Sequence, residues 1–339
     1  MKAHPTGQER FMTHRRNLAP TGSGRRQIRA AAAIAGLVAL TATTAACGGS
    51  QGQAPDDGKV KVVASTNVWA SVATAVGGDA VSVTALLSDP GADPHGYEAK
   101  PSDATAFAGA DLVLSNGGGY DDFFTTLVDS SGGDVRRIVA VDLADPDAGK
   151  ESAEPAPADA HEHAENEHVW YDLETVRKVA GKVAEELAAV APDKAGTFRA
   201  NAANFDKALQ ELTVKVAEIG QRKADAKVLS TEPVAAYLLH TAGLNDVTPA
   251  EFAEAVEEES DPSASAVAET EGLITSKQVV ALVYNSQTET PVTERLKERA
   301  TAQGIPIVGV TETLPQGVTG YLDWMTKQVD ALAGAVAAA

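Results

Sequence analysis

Apolar residues recur along this chain in two rhythms, and the two rhythms alternate. Short β-type runs stand at KVVAS (61–65), VSVTALL (81–87), DLVLSN (111–116) and RIVAVDL (137–143). A helix-like stretch after the first run reaches Val76 and ends on Gly77 and Gly78. The segment PSDATAFAGA reads as a helix, with Ser102 or Asp103 as its cap and Phe107 on its apolar face. Strands alternating with short helices predict a parallel α/β sheet. The rhythm then stops. Residues 144–167, rich in Asp, Pro, Ala, Glu and His, form a mobile loop rather than a domain linker, because helical spacing resumes at once. One amphipathic helix runs from Leu173 to Val190 and Pro192 breaks it. A longer helix follows at about 193–222, with Phe198, Phe205, Leu209, Leu212, Val216 and Ile219 on one stripe. It is about 30 residues and ~45 Å long, enough to reach between lobes.

Beyond it the alternation begins again. KVLST (227–231), VVALVYN (279–285) and IPIVGV (305–310) are strands; PVAAYLLHTAGL, VTERLKERATAQ before Gly304, and TGYLDWMTKQVDALAGAV are helices. The predicted fold is therefore α/β: two lobes, each with a mainly parallel sheet flanked by helices, joined by one long helix. The lobes span 59–192 and 223–339, and the joining helix spans 193–222.

The first fifty residues have a different character. Arg15, Arg16, Arg25, Arg26 and Arg29 precede the apolar run AAAIAGLVAL (31–40), which is too short for a relaxed membrane span. Small residues then lead to Cys47, the chain's single cysteine, which excludes an intramolecular disulfide and a CxxC metal site. Residues 1–47 read as a signal peptide ending in a stretch similar to the lipobox of bacterial lipoproteins. Thr44 stands where leucine is preferred, and Cys47 is the residue that would be lipidated. An ordinary secretory peptide is the alternative, and Arg25–Arg26 leaves twin-arginine export open. Residues 48–58 are a flexible tether. Both readings put the folded part outside the cytoplasmic membrane; lipidation would anchor it to the outer face. From Cys47 onward 21 basic residues stand against 46 acidic ones, a formal charge of −25. Such a surface repels nucleic acid and anionic lipid.

The candidate chemistry is metal binding. Three of the seven histidines, His161, His163 and His168, crowd into HEHAENEHVW (161–170). Neutral imidazole is the commonest ligand for zinc-like ions; an acidic linker with chance histidines is the plain alternative. His95, Glu232 and Glu312 each lie just past a predicted strand end, where ligands bind in open α/β sheets. With His168 they make two imidazoles and two carboxylates, a set suited to a divalent transition ion. Taken singly, His95 between Pro94 and Gly96 could be a loop histidine. Glu232 before Pro233 could be a helix-start carboxylate, and Glu312 between two threonines a solvated one.

Ordered motifs over residues 60–335 resemble the metal-binding receptors of ABC transporters, the cluster A-I family of zinc and manganese solute-binding proteins. GADPHGYEAKPSD (91–103) is similar to that family's GxDPHxYEPxPSD, with Ala99 for a proline. EHVWYDL (167–173) resembles DPHxWLDP, with Glu167 for a proline. STEPVAAYLLHTAGL, EEESDPSASAVAETEGLI and IPIVGVTETL resemble later segments in order. The resemblance implies His95, His168, Glu232 and Glu312 as the four metal ligands, and His161 and His163 as accessory residues that recruit ions. It also implies a monomeric extracytoplasmic receptor that captures Zn2+, with Mn2+ as the alternative, and hands it to a membrane permease. A metal-dependent hydrolase is the rival class, but four protein ligands saturate a tetrahedral ion and leave no open position. A surface adhesin on the same fold is a third reading.

Overall fold

Eight strands and nine α-helices follow one another in the computed structural model, which describes residues 58–92, 96–144, 166–223 and 225–338. All of these belong to one unit, Pro55–Ala339. Strands β1 (Val60–Thr66), β2 (Val81–Leu87), β3 (Leu112–Ser115) and β4 (Arg136–Val139) form a first sheet in the order β2-β1-β3-β4. Strands β5 (Lys227–Ser230), β6 (Asn245–Asp246), β7 (Ala281–Asn285) and β8 (Ile307–Val310) form a second sheet in the order β6-β5-β7-β8. Every pairing is parallel, and the two orders are the same permutation. In each sheet the order therefore reverses between the first and third strands, and a ligand crevice opens at that point.

The helices are α1 (Asn67–Gly77), α2 (Asp122–Ser130), α3 (Leu173–Val190), α4 (Ala195–Arg222), α5 (Ala236–Thr241), α6 (Ala250–Glu257), α7 (Ala264–Thr275), α8 (Pro291–Gln303) and α9 (Tyr321–Ala338). Local chemistry sets several ends. The Asp172 carboxylate accepts from Glu174 N and Thr175 N to start α3. Thr290 and Thr293 form a reciprocal box before Pro291 of α8, and Gly304 ends that helix in the left-handed region. The segment read as a helix at 101–110 is only a short 3-10 turn, Asp103–Phe107. Neither Ser102 nor Asp103 caps it; the Asp103 carboxylate instead accepts from Lys100 N and the Tyr97 hydroxyl.

Period-two alternation divides each sheet's side chains between two cores. Val62, Ala64, Leu112 and Leu114 of the first sheet face inward, as do Val228, Ala281, Val283, Val308 and Val310 of the second. These join one continuous apolar cluster threaded by α1, α3, α4 and α9. Val63 and Val113 face outward with Phe107, Phe124 and Val128, while Leu229, Leu282 and Tyr284 pack outward on Phe252, Ile274 and Leu296. The stripe of α4 from Phe198 to Ile219 is buried, and α4 packs on α1 and α3 as well as on α5 and α9. At Gly220 a Cβ would lie 2.2 Å from Ala242 O, so glycine permits the close approach of α4 to the end of α5.

Polar contacts also tie the two sheets' ends together. Tyr171 Oη donates to Thr311 O at 2.9 Å, Tyr321 Oη to Trp170 O at 2.7 Å, and Leu314 N to Asn67 Oδ1 at 2.9 Å. Burial and, more weakly, the Glu312 charge push the Tyr171 hydroxyl well above its usual range, so it remains a donor. Among the described residues no helix is long and apolar enough to cross a membrane.

Candidate metal centre

The carboxyl ends of β5, β7 and β8 converge at the switch point of the second sheet. Glu232 lies two residues past β5, Asn285 ends β7, and Glu312 lies two residues past β8. Glu232 is 4% exposed and Glu312 1% exposed. Two carboxylates buried this deeply need strong compensation. Asn285 Nδ2 supplies part of it, donating to Glu232 Oε2 at 2.6 Å and to Glu312 Oε1 at 2.8 Å. The Thr288 hydroxyl donates to Glu232 Oε1. Glu232 precedes a 3-10 turn but its side chain caps nothing, so a helix-start role does not explain it. Gln287 holds the other side: its Oε1 accepts from Glu312 N and Thr313 N, and its Nε2 donates to Thr313 Oγ1 and to Pro90 O.

His168 is fully buried beside Trp170 and Tyr120, with ring centroids at 5.1 and 6.2 Å. Asn166 orients it. Asn166 Nδ2 donates to Pro233 O at 2.9 Å, so Oδ1 is the acceptor that faces His168 N at 2.9 Å and Nδ1 at 2.7 Å. In the neutral ring the proton therefore sits on Nδ1, which makes Nε2 the acceptor nitrogen. The same asparagine joins His168 to the turn that carries Glu232, and Tyr237 Oη donates to Asn166 O at 2.7 Å. From the first sheet, Asn116 Nδ2 donates to Glu167 O at 2.8 Å. Asn116 is fixed by Trp69 Nε1 and by Asp121, whose carboxylate accepts from Asn116 N and Gly117 N. Burial raises the Asp121 carboxyl despite these bonds.

The four predicted ligands fare differently. Glu232 and Glu312 meet through Asn285, and His168 reaches the Glu232 turn through Asn166. Among the described residues, the group of three metal-ligating side chains whose ligand atoms lie within 4.8 Å of one another is Glu167, His168 and Glu257. His168 Nε2 is 3.6 Å from Glu257 Oε1. His95, His161, His163 and Cys47 lie outside the described residues, as do residues 1–57 and most of the acidic loop. Ala92, three residues before His95, is within 3.4 Å of Gln287 Nε2 through its carbonyl oxygen.

The family model described as "ZnuA: Zinc-uptake complex component A periplasmic" matches residues 62–335. The chain belongs to this family. Relatives include the manganese-binding lipoprotein MntA of Halalkalibacterium halodurans, 28% identical over 52% of this chain and 55% of its own length. The zinc-binding lipoprotein AdcA of Streptococcus pneumoniae is 25% identical over 81% of this chain and 56% of its own. The chain thus spans about half the length of the curated relatives it matches. Among solved structures, the periplasmic zinc-binding protein TroA from Treponema pallidum superposes with a TM-score of 0.67 at 20% identity, over 82% of this chain and 99% of that one. A manganese-bound periplasmic protein from Candidatus Liberibacter asiaticus gives 0.65 at 17% identity, over 82% and 100%. These likenesses establish the two-lobed fold of the ZnuA family for this chain.

Sequence reasoning missed Asn116, Asn166, Asn285, Gln287 and Glu257. Asn116 and Asn285 had a readable signal, since each is the polar residue that closes a strand-type run, DLVLSN and VVALVYN. Asn166 and Glu257 had none.

Proposed function

We propose that this protein is an extracytoplasmic receptor that captures a divalent metal ion between its lobes and delivers it to a membrane permease. The ion is cargo, and no catalysis is assigned. The reading rests chiefly on one observation: two buried carboxylates, Glu232 and Glu312, share the Asn285 amide at the strand ends, and a wholly buried imidazole, His168, is tied to the Glu232 turn through Asn166. Family membership supports the same reading, and the relatives' printed names include both zinc and manganese. The proposed ligands are His95, His168, Glu232 and Glu312, with zinc as the favoured ion because it outranks manganese in intrinsic affinity. His161 and His163 would recruit ions to the cleft, and a lipidated Cys47 would hold the receptor at the membrane.

The test is titration calorimetry with zinc on the purified protein and on His95→Ala, His168→Ala, Glu232→Ala and Glu312→Ala. One tight equivalent is expected, weakened at least about tenfold by each change, or about 1.4 kcal/mol. Wild-type affinity in His168→Ala would overturn the assignment of the site.

A further inference from the structure

Gln287 lies two residues past β7, half-buried between the Glu312 turn and the loop that follows β2. We propose that Gln287 is a positioning residue for the captured ion: its amide clasps the first-lobe loop at 90–92 onto the turn that carries Glu312, and the clasp slows release of the ion. The inference rests on the capture reading above and deepens it.

Four main-chain groups fix the orientation of the amide. Oε1 accepts from Glu312 N and Thr313 N, which can only donate. Nε2 faces Pro90 O at 3.0 Å and Ala92 O at 3.4 Å, which can only accept. A flipped amide would set donor against donor and acceptor against acceptor, so the side chain can join the two lobes in one way only. The backbone extends the connection. Gln287 N donates to Asn285 Oδ1 at 3.1 Å, which turns Asn285 Nδ2 toward Glu232 and Glu312. Gln287 thus touches both the turn that presents Glu312 and the side chain that the two carboxylates share.

The two ends of the clasp are unequally held without it. The turn at 311–314 has other first-lobe ties, from Tyr171 Oη to Thr311 O and between the Asn67 amide and both main-chain groups of Leu314. The loop follows an edge strand, and its other hydrogen bonds among the described residues are local: Ala92 N to Asp89 O and Gly91 N to Asp89 Oδ1. Removing Gln287 Nε2 therefore frees the loop from the second lobe while the Glu312 turn keeps its own anchors. The loop is the part that opens, and an ion held by Glu312 escapes more readily past a wall that opens.

Gln287→Glu separates the two halves of the clasp. A carboxylate keeps an acceptor for Glu312 N and Thr313 N but sets an oxygen without a proton against Pro90 O and Ala92 O. Gln287→Met removes both halves. Each is compared with wild type and with Gln278→Met, a change at an exposed glutamine whose amide donates to Ser276 Oγ. Thermal melts in chelator confirm that every variant is folded. Hydrogen–deuterium exchange in chelator reads the clasp without metal. Exchange at Gly91 and Ala92 should quicken at least about threefold in both Gln287 variants, and at Glu312 and Thr313 only in Gln287→Met. Stopped-flow transfer of zinc from the loaded protein to excess fluorescent chelator reads release. Release should quicken about three- to tenfold in Gln287→Glu, the worth of one neutral hydrogen bond, although the added negative charge acting alone would slow it. Release no faster than wild type in Gln287→Glu, unchanged exchange at Gly91 and Ala92, or an equal gain in release from Gln278→Met would each overturn the proposal. A wild type that binds no zinc would defeat the capture reading, and the exchange result, which needs no metal, would still decide whether the clasp exists.

Discussion

Replacing Asn166 by alanine should weaken metal binding without touching a proposed ligand. Its Oδ1 is the acceptor for both His168 N and His168 Nδ1, so the change removes what places the ring proton on Nδ1. Loss of such a partner typically costs about 10- to 100-fold in metal affinity, which is about 1.4–2.7 kcal/mol. The variant also gives up the bond from Nδ2 to Pro233 O, a stability cost of about 1–3 kcal/mol. That is smaller than the roughly 5–15 kcal/mol that holds an ordinary domain together, so the protein should stay folded. Asn166→Asp separates the two effects. It retains an acceptor for Nδ1, and a carboxylate there raises imidazole basicity; it loses the donor to Pro233 O. Affinity should therefore stay within about threefold of wild type while urea stability falls as in the alanine variant. Chelator competition and urea unfolding on the same samples give both numbers. An alanine variant binding within twofold of wild type, or an aspartate variant as weak as alanine, would refute the idea that Asn166 acts through the tautomer.

Asn285→Ala removes the shared donor of Glu232 and Glu312, two charge-assisted bonds at about 1.5–3 kcal/mol each before relaxation. Urea unfolding at pH 7 in chelator should show a loss of about 3 kcal/mol, and a loss below about 1 kcal/mol would count against the bridge. Metal binding should fall as pH drops through the imidazole range near 6.5, because a ligating ring must be deprotonated. The brace of the neighbouring loop should not contribute to that fall. The backbone N–H of Lys100 and the Tyr97 hydroxyl hold the Asp103 carboxyl below its ordinary value, and burial pushes Tyr97 up to about 12. A depressed carboxyl gives stability that is present above its unfolded value of about 3.9 and lost only as pH falls through the lower folded value. Asp103→Asn should thus weaken binding in isotherms at pH 5.5, 6.5 and 7.5 without moving the midpoint; a shift above about half a unit would refute this.

The architecture was legible because its signals were long or repeated. The stripe from Phe198 to Ile219 holds one spacing over six turns, and each of those residues is buried in α4. The three longest apolar runs after it became β5, β7 and β8 within a residue or two. What escaped was short or contextual. Strand β6 is two residues, Asn245–Asp246, with no apolar pattern to betray it; it pairs because the turn after α5 returns beside β5. PSDATAFAGA looked like a helix because Phe107 is buried and Asp103 precedes it. The Asp103 carboxylate is spent on Lys100 N and Tyr97 instead, which leaves the turn uncapped and short.

The site divides in the same way. Position past a strand end is a property of the sequence, and it pointed to Glu232 and Glu312, both buried at the ends of β5 and β8. Which atoms face one another is a property of the fold. Asn285 meets both glutamates only because β7 lies between β5 and β8, a neighbour relation fixed by crossover connections far apart in the chain. Asn166 and Glu257 are further removed still. One sits in an acidic run and the other opens EEES, surroundings in which solvation is the ordinary fate of a polar side chain. Inside the fold Asn166 is instead spent on Pro233, His168 and Tyr237, contacts that no local sequence pattern announces. From Cys47 onward the chain carries a formal charge of −25, yet it places the carboxylates of Glu232 and Glu312 inside, both on the Asn285 amide. Under the capture proposed above, a divalent cation is the partner that would make that placement favourable.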